Sequence, residues 1–244
     1  MNVVLLGGTR GIGRALGRLL ASRGDAVFLL GRDEADLARS AEDLRLRGGG
    51  TVGWVRCDLR QPAGFGPALD AASAALGRID AVVVTAGAFG TQDELEADPG
   101  RAAEVLDTNF ARTVEFCEAA RGLLLAQGGG TLAVFSSVAG DRGRTPVVLY
   151  GASKAGLSAY LEGLDHRFRR QGLVTVCLKP GFVRTGMTTG LREPPFAADA
   201  GTVARLALRA IDRGTPVAYL PGIWRWIMMV IRLLPRGVMR RVGF

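Results

Sequence analysis

Lysine is almost missing from this chain. Of thirty-one basic residues only Lys154 and Lys179 are lysines. A general bias toward arginine accounts for the bulk of that, yet the two survivors stand out, because an ammonium is a compact, tunable charge that a guanidinium does not imitate. Histidine is scarcer still: His166 is alone, which excludes a Ser-His-Asp triad and a histidine-based metal site and leaves it as a helix-surface residue. Cys57, Cys117 and Cys177 are odd in number and far apart, with no CxxC pair. Neither a disulfide framework nor a zinc site is indicated; they read as buried free thiols in a reducing compartment. Acidic side chains stop at Asp212, whereas Arg213, Arg225, Arg232, Arg236, Arg240 and Arg241 follow, so the net charge of +8 is largely a C-terminal feature. Nucleic-acid binding would rest on that charge alone, because the aromatics are not interleaved with basic residues in a recognisable module. The first residues carry no basic, long-apolar, cleavable leader pattern, and a cytoplasmic location is expected.

The chain has 244 residues and 48% hydrophobic content, enough for a sizeable core and suited to one α/β domain over 1–244. Asn2–Gly7 is an apolar run ending in glycines, and apolar residues at helical spacing follow from Ile12 to Leu20. The unit repeats in kind. Strand patterns at Ala26–Leu30, Thr51–Arg56, Ala81–Thr85, Thr131–Phe135, Leu173–Leu178 and Pro216–Leu220 alternate with helical ones at Asp33–Arg47, Ala68–Leu76, Arg101–Gln127, Tyr150–Arg170 and Thr202–Ile211. Continuous apolar strands between helices predict a doubly wound parallel sheet of about seven strands covered on both faces. Met187–Ala198, rich in Pro, Gly and Thr, reads as a mobile loop over a ligand.

Gly7-Gly8-Thr9-Arg10-Gly11-Ile12-Gly13 joins the first strand to the first helix. Glycines there let the backbone approach a pyrophosphate, and the helix N–H groups face its charge. A carboxylate at the end of the second strand would bind a ribose diol; here the chain reads Gly31-Arg32, and Arg32 with Arg10 offers guanidinium groups to a 2′-phosphate. NADPH is therefore favoured over NADH. Two alternatives stay open: Asp33 turning back to the ribose, or both arginines being ordinary solvated residues.

Tyr150 and Lys154 lie four apart at the start of a helix, so they share a face. A phenol titrates near 10, and a neighbouring ammonium favours the phenolate, drawing the group toward a pKa suited to proton exchange. Ser137, just past a strand, would face the same cleft and donate to a substrate oxygen. Taken singly, each has a plain structural reading.

Together these residues resemble the short-chain dehydrogenase/reductase family over nearly the whole chain. The matching pieces are Gly7-x-x-x-Gly11-x-Gly13, Cys57-Asp58-Leu59, Thr85-Ala86-Gly87, Asn109, Ser136-Ser137-Val138-Ala139-Gly140, Tyr150-x-x-x-Lys154 and Pro180-Gly181-Phe182-Val183-x-Thr185. The resemblance implies an oxidoreductase in which Tyr150 is the general acid of reduction, Lys154 lowers its pKa and holds the nicotinamide ribose, Ser137 orients the carbonyl and Asn109 keeps a relay water. It further implies Asp58 and Leu59 by the adenine, Ala86 and Gly87 by the ribose, Val183 and Thr185 by the carboxamide, and a homodimer or homotetramer formed through the helices of Asn109 and Tyr150. Asp58 also reads as a turn or helix cap. Two positions depart from the family pattern: Leu6 replaces a threonine, and Val84-Thr85 replace paired asparagines.

The tail from Gly222 to Pro235 is apolar and aromatic, then basic to Arg241, and it is too short to span a bilayer. It reads either as an interfacial helix over 222–241 at the inner face of a membrane, or as a helix packed on the cleft or on a second subunit. Val183-Arg184-Thr185-Gly186-Met187, Tyr150-Gly151 and this 221–244 extension are similar to a branch of the family that reduces polyprenyl-phosphate-linked keto-pentoses. The implied substrate is a small or lipid-linked ketone. The same residues would also serve another hydrophobic ketone or a 3-oxoacyl thioester, and a cofactor-sensing protein without catalysis is the reading outside enzymology.

Overall fold

A computed structural model describes residues 1–48 and 50–242; Gly243 and Phe244, the end of the 221–244 extension, lie outside the described residues. The apolar runs form β1 (Asn2–Leu6), β2 (Ala26–Gly31), β3 (Val52–Arg56), β4 (Ala81–Val84), β5 (Gly130–Phe135), β6 (Leu173–Pro180) and β9 (Val217–Leu220). They pair in parallel in the order β3-β2-β1-β4-β5-β6-β9. The order reverses between β1 and β4, so the crevice beyond their C-terminal ends is where a ligand lodges in such sheets.

Side chains alternate across the sheet into two cores. Leu5, Leu29 and Val83 point to one face and pack with Leu16 and Leu20 of α1 (Gly11–Arg23), Leu37 of α2 (Glu34–Arg45) and Ala207 of α8 (Ala200–Asp212). Val4, Leu6 and Val84 point to the other, against Leu69 of α3 (Phe65–Leu76), Phe116 of α6 (Thr113–Ala126) and Leu157 of α7 (Val148–Phe168). Both faces of the inner strands are thus buried, which is why they read as unbroken hydrophobic runs, whereas the edge strands β3 and β9 are only partly covered.

Three features differ from the sequence reading. The expected helix Arg101–Gln127 is divided: α5 (Pro99–Leu106) passes through a π-helical segment, Asp107–Arg112, into α6. A short helix α4 (Gln92–Ala97), closed by a Thr91/Glu94 capping box, precedes them. The expected loop Met187–Ala198 begins in a single turn at Gly186–Thr188 and ends in β8 (Ala198–Asp199), which pairs with β7 (Val183–Arg184). An Arg184–Glu193 ion pair of 2.5 Å ties its middle to β7.

The C-terminal extension folds as α9 (Ile223–Leu233) and α10 (Arg236–Val242). Trp224, Met228 and Ile231 of α9 bury themselves with Val138, whereas Trp226, Met229, Val230 and Leu233 are exposed. Among the described residues no helix is long and apolar enough to cross a membrane. The three cysteines are buried and unpaired, and no group of His, Cys, Asp or Glu among the described residues could hold a metal ion.

Candidate active site

The glycine turn lies at the switch point, and its shape depends on missing side chains. Gly7 has φ of +93°, and a Cβ on it would stand 2.6 Å from the backbone nitrogen of Ala86. A Cβ on Gly13 would stand 2.3 Å from the carbonyl oxygen of Gly7. At Gly11 the nearest atom to such a Cβ is Cγ2 of Thr185, at 3.5 Å, so Thr185, after β7, borders the turn. The helix behind it is left open. Asp33, Thr91, Asp98 and Asp199 each cap a helix with a side-chain oxygen, whereas α1, like α3, α7 and α9, has no side-chain cap and no acid in its first turn. Its first N–H groups therefore have no carboxylate partner, and together with the bare glycines they fit a pyrophosphate.

The two arginines expected at the adenosine end sit differently. Arg32 is exposed after β2. Arg10 donates to Asp36 at 2.5 Å and 3.1 Å, and Arg39 binds the other oxygen of the same carboxylate. Asp36 was not singled out by the sequence, and it offsets part of the charge assigned to Arg10. Asp33, the alternative ligand for the ribose, is exposed, and its carboxylate accepts from the Asp36 N–H at 2.8 Å, capping α2. Asp58 is buried and holds its own turn, accepting from the Arg60 N–H at 3.0 Å and the Arg60 guanidinium at 2.8 Å. Those bonds keep its carboxyl below the usual range, and Leu59 beside it is buried in the second core.

The departures from the family pattern are compensated locally. Thr85 donates its hydroxyl to the Leu6 carbonyl at 3.0 Å, while the backbone nitrogens of Thr85 and Ala86 bond the same oxygen. The ends of β1 and β4 are thereby pinned without a threonine at position 6 or an asparagine at 85.

Beyond Ala86-Gly87 the proton-handling residues converge. A Cβ on Gly87 would lie 3.1 Å from Oδ1 of Asn109 and 3.7 Å from Nζ of Lys154. Asn109 is fully buried in the π-helical segment, where its side chain accepts from the Ala88 N–H at 2.7 Å and donates to the Ala88 carbonyl at 2.8 Å. The local widening of the helix is what brings that side chain to the cleft. Ser136 and Ser137 leave β5 in opposite directions. Ser136 bonds the Lys154 carbonyl at 2.9 Å and the Ser158 hydroxyl at 2.7 Å, holding α7 against the sheet. The Ser137 hydroxyl accepts from the Ala139 N–H at 3.1 Å and lies beside the Tyr150 phenol.

Lys154 is 5% exposed, donates to the Phe135 carbonyl at 2.9 Å and sits 5.8 Å from the Tyr150 ring centre. Burial drives the two groups apart in a way the helix spacing did not anticipate. Tyr150 is pushed up to about 12, with the Ser137 hydroxyl acting against the rise, and Lys154 is pulled down to about 8. Desolvation is the larger cause of both shifts, and the bond to the Phe135 carbonyl uses one of the three N–H donors of Lys154. The phenol accordingly carries its proton at neutral pH.

Sequence reasoning missed two neighbours. Phe89 packs edge-on against Tyr150, with ring centres 5.1 Å apart. Trp224 presses its indole on Gly181, where a Cβ would lie 2.0 Å from the ring nitrogen; the Pro180-Gly181 motif is thus braced by α9. Lys179, the other lysine, pairs with Asp141 at 2.6 Å, and Asp141 also accepts from the Tyr219 hydroxyl at 2.7 Å. That cluster anchors the segment following Ser137.

The family model described as short chain dehydrogenase matches residues 1–195. An uncharacterized oxidoreductase of Mycobacterium tuberculosis is 34% identical over 240 residues, covering 98% of this chain and 96% of its own length. A granaticin polyketide synthase putative ketoacyl reductase of Streptomyces violaceoruber is 34% identical over 194 residues, 78% of this chain and 70% of its own. The crystal structure of an actinorhodin polyketide ketoreductase with NADPH superposes with a TM-score of 0.78 at 23% identity, covering 89% of this chain and 94% of that one.

Proposed function

Since this chain belongs to the short-chain dehydrogenase/reductase family of oxidoreductases, we propose that it reduces a ketone to an alcohol with NADPH. The observation that carries the reading is the convergence of buried Lys154 and Asn109 on Gly87, beside Tyr150 and Ser137, at the end of the crevice that the uncapped glycine turn opens. A bound nicotinamide dinucleotide supplies the hydride, and the remaining work belongs to the chain. Gly7, Thr9, Gly11, Ile12 and Gly13 hold the pyrophosphate, Arg32 and the Asp36-tethered Arg10 face the 2′-phosphate, and Asp58 with Leu59 borders the adenine. Ala86, Gly87 and Lys154 bind ribose hydroxyls; Pro180, Gly181, Val183 and Thr185 bound the nicotinamide end.

Ser137 donates to the ketone oxygen and stabilises the negative charge that develops there. Tyr150, a phenol that carries its proton at neutral pH, gives that proton to the oxygen to complete the alcohol. The Lys154 ammonium then returns a proton to the phenolate and regains one from solvent through a water kept by Asn109.

For the ketone, the similar putative ketoacyl reductase supports a 3-oxoacyl or other hydrophobic substrate. A polyprenyl-phosphate-linked keto-sugar gains support from α9, whose exposed Trp226, Met229, Val230 and Leu233 adjoin an arginine-rich, acid-free segment. On this reading the two expectations for the tail apply to its two faces, one braced on the cleft and one turned toward the cytoplasmic surface of a membrane. A homodimer or homotetramer through the helices that contain Asn109 and Tyr150 completes the assignment.

The test is NADPH oxidation followed against a panel containing simple ketones, 3-oxoacyl thioesters and polyprenyl-phosphate keto-sugars. Turnover of one class is expected. Consumption of none of them, with NADPH bound, would favour a cofactor-sensing protein instead.

A further inference from the structure

Behind the segment that carries Ser137 lies a second cavity, of about 700 Å³. Its charged lining is arginine alone: Arg142 and Arg144 from the loop before α7, and Arg236 and Arg240 from α10. Among the described residues no aspartate or glutamate lines it. The one acid in that loop, Asp141, is committed to Lys179 and Tyr219. On the floor, Ala152 and Ala155 of α7 are small, exposed residues that leave space where longer side chains would fill it.

The arginines are not equivalent. Arg142 reaches across to the C-terminal carbonyls of α9, donating to Leu234 at 2.8 Å, and so fixes the approach of α10. Among the described residues Arg144 has no such partner: its Nε is buried without a hydrogen bond. Burial pulls this guanidinium below its usual pKa, with the charge of nearby Asp141 acting against the fall. A buried, unpaired donor is unfavourable unless something fills the space beside it. Arg236 and Arg240 approach from the opposite wall on a segment with no acidic side chain to draw them elsewhere.

We propose that this cavity is a second anion site, separate from the glycine turn, which binds the phosphoryl group of a phosphorylated ligand. Guanidinium forks from two walls match phosphate oxygens in pairs, and the volume accommodates an organic group attached to the phosphate. Because Gly140 and Gly151 line the cavity, three residues after Ser137 and one after Tyr150, an occupant would bear on the two elements that carry the proton chemistry. The phosphoryl group has two sources, a soluble ester and a lipid headgroup, and both present the same chemistry.

Calorimetry with inorganic pyrophosphate tests the site on the full chain, with saturating NADPH to occupy the glycine turn and ionic strength held constant. Binding is expected, weakened about tenfold or more in Arg144→Met, as the loss of charge-assisted bonds predicts. The same weakening is expected in the double variant Arg236→Met/Arg240→Met, whose exposed positions leave the core untouched. Competition by phosphatidylglycerol vesicles would assign the phosphoryl group to a lipid, and competition by soluble phosphate monoesters alone would assign it to a metabolite; either supports the site. No binding, or affinity unchanged in the double variant, would overturn it. NADPH affinity measured in parallel separates failure of this site from failure of the cofactor reading.

Discussion

At the scale of single residues the chemistry rests on where burial leaves protons. Lys154 has its pKa lowered from 10.5 to about 8, so it is an ammonium below that value and neutral above it. If the ammonium is needed to bind ribose and return a proton, kcat/KM for NADPH, which reports the free enzyme, falls as pH rises through about 8. A profile flat to pH values well above that would contradict the assignment. Stability follows with its own sign. A depressed folded pKa is a contribution present above the unfolded value of 10.5 and lost as pH falls through about 8. Lys154→Met should therefore stabilise the fold more at neutral pH than in strong alkali, as denaturant melts at the two extremes would show. Cofactor choice is also a residue matter. With Arg10 shared with Asp36, the exposed Arg32 is the freer cation, and Arg32→Glu should lower kcat/KM for NADPH by about tenfold or more while sparing NADH. Unchanged discrimination between the two cofactors would remove Arg32 from the account.

At the scale of elements, α9 acts as a brace. Trp224 is 8% exposed and fills the space above Gly181, so Trp224→Ala should destabilise the protein by about 3–5 kcal/mol, the range for deleting a buried aromatic. A shift under about 1 kcal/mol in denaturant titration would mean that the tail is only loosely applied. The elements also show where the sequence was readable. Seven strands and their parallel sense were legible because the inner strands are buried on both faces and all are apolar runs bounded by turns and alternating with helices. The division of Arg101–Gln127 was not, since a π-helical segment keeps helical periodicity nearly intact and depends on the tertiary seat of Asn109 against Ala88. The Tyr150–Lys154 pairing was legible as a four-residue spacing, and the scarcity of lysine singled it out. Its electrostatics were hidden, because the sign of the Tyr150 shift depends on burial. The role of Asp36 was hidden for a similar reason: its partner Arg10 is twenty-six residues away, and only the fold brings them together. Gly181 carried a trace of Trp224, a bare backbone inviting close approach, but nothing in the sequence named the visitor.

At the scale of the whole molecule, charge and apolar surface are distributed unevenly. The exposed side chains of α9 and the arginines beyond Asp212 lie on one end of the chain, and this asymmetry predicts binding to phosphatidylglycerol vesicles that weakens with added salt. Truncation after Leu220 should abolish it, and Trp226→Ser with Leu233→Ser should weaken it without loss of NADPH binding. Equal partitioning of the wild type onto anionic and neutral vesicles, or onto neither, would assign the exposed face to another subunit instead. The central claim reaches further than the tail, since every part of the crevice is arranged around the proton that Tyr150 holds. It is tested most directly by Tyr150→Phe, measured for NADPH affinity and for single-turnover reduction of whichever ketone the wild type accepts. Affinity within about twofold of wild type and a rate lower by about a hundredfold or more, as removal of a general acid entails, is the result expected; turnover retained by the phenylalanine variant would contradict it.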